Sequence, residues 1–137
     1  MIKVKTDKEI RQEILDKYGL PDEVSTIFFN AENGKPIGFS YDEVEEPFIY
    51  VNMCNNLKKI WSEYPDACSW DGWEDGIIGN VGCHLVYNVE LAQERFFEKN
   101  KLKNILDAVE HWEYNVEGSR MTVPSFCRPY HMYEIFT

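Results

Sequence analysis

Apolar positions along this chain fall into two kinds of run, some spaced as one face of a helix and others unbroken β-branched and aromatic stretches. Ile10, Ile14, Leu15 and Tyr18 share a helical face. Thr6, with Glu9 three residues on, predicts a capped start for that helix, and Gly19 followed by Leu20-Pro21 predicts its end. From Val24 to Phe29 the pattern turns to that of a strand, and Ile37 to Tyr41 repeats it after the turn signal Asn33-Gly34, which predicts a β-hairpin with a longish loop. Phe48 to Met53 adds a candidate third strand.

Met53, Leu57, Ile60, Trp61 and Tyr64 form the next helical stripe, closed by Pro65, and predict a helix over 53–64. The glycines at 72, 76, 79 and 82 predict loop through 69–82, with a strand from Cys83 to Val89 after it. A helical region opens near Glu90 and breaks at Asn100, because Leu102, Ile105, Leu106, Val109 and Trp112 make a stripe of their own; one kinked helix and two short helices both satisfy the pattern. Met121 to Val123 and Tyr130 to Phe136 have strand composition, separated by Pro124 and Pro129. The order of elements predicts an α+β fold, an antiparallel or mixed β-sheet with about three to four packed helices. No Pro, Gly or Ser-rich linker interrupts residues 1–137, so a single domain is expected.

Composition narrows the functional classes. The chain has 24 Asp and Glu against 14 Lys and Arg, a net charge of −10, and 15% aromatic residues. Phosphate is repelled by such a chain, which disfavours direct nucleic-acid binding and leaves Lys99, Lys101 and Lys103 as the one local patch open to it; binding to anionic lipid is disfavoured on the same ground. The start of the chain has no apolar leader and no later stretch approaches the length of a membrane span, which gives a cytoplasmic expectation. Cys54, Cys68, Cys83 and Cys127 contain no C-x-x-C pair and are expected as buried free thiols.

Catalytic chemistry finds no motif. Neither a nucleophile elbow nor a phosphate loop is present, and Asp71, Glu74 and Asp75 put negative charge where an anion bound by the glycine-rich stretch would sit. Cys83 and His84 are adjacent on a predicted strand and so point to opposite faces, which disfavours a shared metal. The carboxylate runs match no calcium-loop pattern. No catalytic residue, metal or cofactor is therefore assigned. Leu20-Pro21 and Asn33-Gly34 in part resemble the Leu-Pro and Asn-Gly-Gly signature of a family of immunity proteins. A single glycine follows Asn33 and strand-like residues lie between, so neither fold nor residues carry over from that resemblance.

Two acidic places remain as candidate partner-binding surface. The segment 42–46 supplies Asp42, Glu43, Glu45 and Glu46; the loop 70–75 supplies Trp70, Asp71, Trp73, Glu74 and Asp75. Tryptophans beside carboxylates suit a binding hot spot for a basic surface, while two tryptophans tucked into the core with solvated carboxylates around them satisfy the same sequence. The expected function is an acidic inhibitor of the immunity or anti-defence type, whose carboxylates imitate nucleic-acid phosphates and block the basic groove of a nuclease, toxin or defence complex. The alternative is a small-molecule-binding protein or enzyme with Cys83, His84, His111 or His131 in a pocket.

Overall fold

A computed structural model describes residues 4–41 and 46–135. Helix α1 (Asp7–Tyr18) begins at the expected capping box, in which Thr6 Oγ1 accepts from the Glu9 backbone N–H and Glu9 reaches back to the Thr6 backbone. It ends at Gly19, whose φ of 65° is the left-handed conformation that a side chain disfavours. The hairpin follows as β1 (Thr26–Asn30) and β2 (Pro36–Ser40), antiparallel, with a bulge at Phe28 and Phe29. Strand β3 (Phe48–Met53) then pairs with β1 in parallel.

Helix α2 (Leu57–Glu63) is shorter than the predicted 53–64, because Met53 belongs to β3 and Asn56 caps the helix by accepting from the Lys59 N–H. The stretch expected as loop contains a 3-10 turn (Glu74–Gly76) and a strand, β4 (Ile77–Val81). Gly79 is there for proximity and not for turning. A Cβ at that position would collide with the Asn52 carbonyl oxygen of β3, so glycine is what lets β3 and β4 pair. Strand β5 (His84–Asn88) leads directly into α3 (Val89–Lys99), and α4 (Ile105–His111) is a separate helix, which resolves the break at Asn100.

Beyond α4 the helix widens into a π turn (Trp112–Val116) and then tightens into a 3-10 turn (Glu117–Thr122), so Met121-Thr122, expected as strand, is helical. Another 3-10 turn (Ser125–Cys127) precedes β6 (Tyr130–Glu134). The six strands close into a barrel in the order β1-β2-β6-β5-β4-β3, with β5 and β6 parallel and the other pairs, apart from β1 with β3, antiparallel. The fold is α+β, a mixed sheet with packed helices.

Strands β1 and β5 are buried on both faces, which explains their unbroken apolar composition. Phe28, Ile49, Val51, Val86 and Met132, with Ile37 and Ile78 beside them, form one cluster drawn from all six strands. Ile27 and Phe29 pack with Leu15 of α1. Leu85 and Tyr87 pack with Trp70, Trp73, Ala92, Trp112 and Val116 beneath the helices of the second half.

Candidate functional site

Of the segment 42–46 only Glu46 lies within the described residues; it is exposed, and its carbonyl accepts from Thr26 Oγ1. Asp42, Glu43 and Glu45 lie outside them. In the loop 70–75, Asp71 and Asp75 are exposed, and Glu74 is half-buried with Oε1 accepting from the Gly72 N–H at 3.2 Å. Trp70 and Trp73 are core residues, at 8% and 5% exposure. This corrects their assignment as surface anchors: Trp73 stacks on Phe96 with ring centroids 3.9 Å apart and meets Trp112 edge on, leaving the carboxylates as that loop's outward chemistry.

Trp70 serves a different purpose. Its backbone N–H donates to the Tyr87 hydroxyl at 2.8 Å, and its indole Nε1–H donates to His131 Nε2 at 2.9 Å. Because an indole nitrogen only donates, His131 Nε2 must be the acceptor and the ring proton sits on Nδ1. That proton is donated to Glu117 Oε1 at 2.8 Å, and the same oxygen accepts from Trp112 Nε1 at 3.2 Å. Trp112 and Glu117 are five residues apart, the period of the π turn between them, so the widened helix brings indole and carboxylate together.

Burial pushes the Glu117 carboxyl up, but the hydrogen bond from His131, the Arg120 guanidinium 3.9 Å away and the Trp112 indole outweigh it and hold Glu117 below the usual carboxylate range. Burial pushes the Tyr87 phenol well above its usual range, supported by the charges of Glu74 and Asp71 and opposed by the Trp70 N–H. Both ring nitrogens of His131 are satisfied by protein. The cluster's chemistry is that of a buried clasp joining the loop after α2, the π turn and β6.

The four residues of the pocket alternative are not brought together. Cys83 Sγ donates to the Phe126 carbonyl at 2.8 Å, and His84 Nδ1 lies 2.9 Å from the Arg128 carbonyl with its ring stacked on Tyr130. His131 is in the clasp. His111 alone of the four lines an open groove of 730 Å³ along α4 and the π turn, with Leu102, Asp107, Glu110, Glu113, Tyr114 and Asn115. Among the described residues no group of three or more His, Cys, Asp and Glu is placed to hold a metal ion, and no helix is long and apolar enough to cross a membrane.

That groove was not legible in the sequence. It holds three carboxylates and no Lys or Arg, and among the described residues none of the three enters an ion pair or a side-chain hydrogen bond. Tyr114 is 86% exposed. Ile105 and Leu106, expected to be buried with their stripe, are also exposed, because Ala108, Trp112 and Val116 carry the buried line of the segment. A signal existed: Tyr114 falls off the apolar stripe, where an aromatic residue has no core to fill. Elsewhere Cys68 and Cys127, far apart in sequence, bring their sulfurs to 3.0 Å. Partial burial, the contact with Cys127, and the charges of Cys127, Asp66 and Cys83 push the Cys68 thiol up to about 11.

No protein-family model, curated protein or solved structure matches this chain.

Proposed function

We propose that this is an acidic partner-binding protein of the inhibitor type, which seats a basic surface of another protein on the outer face of α4 and the π turn. One observation carries the reading: Asp107, Glu110 and Glu113 share a groove with exposed Tyr114, and among the described residues no Lys or Arg forms an ion pair with them. An aromatic anchor ringed by uncompensated carboxylates suits Arg and Lys of a partner, and Leu106, one helical turn before Glu110, adds apolar area beside them. Net charge of −10 favours fast encounter with a cationic groove such as that of a nuclease, toxin or defence complex. The exposed Asp71 and Asp75, with Glu46, belong to the same acidic surface chemistry at other places on the molecule.

The test is capture of candidate nucleases and toxins by the tagged chain at low and high salt, followed by assay of each captured enzyme with and without the protein. Wild type is expected to bind in a strongly salt-dependent way and to reduce the enzyme's activity. Glu110→Lys with Glu113→Lys, or Tyr114→Ala, is expected to abolish capture, while Asp71→Lys leaves most of it. Binding that survives the groove variants and fails with Asp71→Lys would move the interface to the loop 70–75. Failure of every variant to alter binding would overturn the acidic-surface reading itself.

A further inference from the structure

Two of the four cysteines meet across the fold: Cys68 and Cys127 are in contact. The contact is specific. The two sulfurs stand 3.0 Å apart, about 1 Å more than a disulfide bond of ~2.05 Å, although 59 positions separate the residues in sequence. Cys68 is partly exposed and sits in the loop after α2, whereas Cys127 is buried in the 3-10 turn before β6. Neither thiol lines the acidic groove.

We propose that Cys68 and Cys127 are a redox modification site, which a small-molecule disulfide of the glutathione type converts to an intramolecular disulfide. Cys68, the accessible thiol, loses its proton, a step that its raised pKa makes slow at neutral pH and faster in mild alkali, and attacks one sulfur of the reagent. The reagent's S–S bond breaks, a mixed disulfide forms on Cys68, and the departing thiolate takes up the proton. Cys127 then loses its proton and attacks the Cys68 sulfur; the mixed disulfide breaks and the second thiolate leaves with that proton. Two protein thiols are oxidised by two electrons, and the reagent is reduced to two thiols.

The placement gives the bond a structural meaning. Cys68 lies just before Trp70 and Cys127 just before His131, so the disulfide would join the same two chain segments that the Trp70 to His131 hydrogen bond joins. Oxidation would add a covalent staple to that clasp, and reduction would remove it. Because the closed loop is long, the oxidised form is expected to melt higher.

The probe is oxidised glutathione, added to the folded native chain and followed by alkylation and peptide mapping without reductant. The expected product has lost two hydrogens, carries a Cys68 to Cys127 cross-linked peptide, retains alkylatable Cys54 and Cys83, and returns to the starting mass with dithiothreitol. Cys68→Ser is expected to abolish the cross-link, and Cys54→Ser to leave it intact. The cross-linked form should melt on the order of 10 °C above the reduced one. A stable glutathione adduct on Cys68 without the cross-link, or pairing of Cys68 with Cys83, would overturn the proposal. So would a cross-linked form that melts below the reduced one, since thiols already near bonding distance should close without distortion.

Discussion

On the inner side of the segment from α4 through the π turn, Trp112 and Glu117 meet His131; on its outer side Tyr114 and Glu113 stand beside His111. The residue types are the same, an aromatic, a carboxylate and an imidazole, a few positions apart on one stretch of chain. Inside, the carboxylate accepts from His131 and Trp112 and faces Arg120, so its charge is used up in holding the clasp. Outside, His111 takes a 3.4 Å contact from the Asn115 amide and packs against Phe96, while among the described residues the neighbouring carboxylates of the groove enter no ion pair. What separates structure from recognition here is whether the polar atoms are already satisfied.

The largest effect should come from the inner side. Trp112→Ala removes a fully buried indole and is expected to cost about 3–5 kcal/mol, read as a lowered denaturant midpoint; an unchanged midpoint would mean that the two sides do not differ in kind. Glu117→Gln keeps an acceptor oxygen and loses the charge, for an expected loss of about 1–3 kcal/mol at neutral pH. Because the folded carboxyl titrates below its unfolded value, that contribution is complete above the ordinary carboxylate range and fades as pH falls through the folded value. Melting curves of wild type and Glu117→Gln should therefore converge on acidification, and parallel curves would deny the charge its role.

Tyr87→Phe leaves the Trp70 N–H without its acceptor, and about 1–2 kcal/mol should be lost. The phenol titrates above its unfolded value in the folded chain, so wild type should also lose stability as pH rises past ~10, a decline that Tyr87→Phe lacks. Thermal melts across alkaline pH check both. The smallest stability effect belongs to the outer side: Glu113→Lys and Tyr114→Ala should shift unfolding by less than about 0.5 kcal/mol while removing partner capture. A destabilisation as large as that of the clasp variants would make the groove part of the scaffold.

What the sequence made legible follows the range of the interaction. The cap Thr6 and Glu9, the stop at Gly19 and the turn between β1 and β2 are decided within a few residues, and each stands where the local pattern puts it. Strand β4 was hidden because Gly79 answers to Asn52, a neighbour in space that periodicity does not see. Met121-Thr122 has strand-forming residues yet continues a helix that the π turn has redirected. The clasp was hidden for the same reason: Trp70 and His131 are 61 residues apart, and no spacing rule links them. Burial of Trp70 and Trp73 follows from that distant partnership and from Phe96 and Trp112.

The position of β6 in the barrel has a consequence for how the protein is made. It lies between β2 and β5, so the sixth of these strands in order of synthesis is the one that joins the hairpin half to the second half. Until residues 130–134 emerge, β2 and β5 each present an unpaired edge, and a stalled or shortened nascent chain would carry two sites for pairing with another molecule. Synthesis of β6 is thus the step that closes both edges at once.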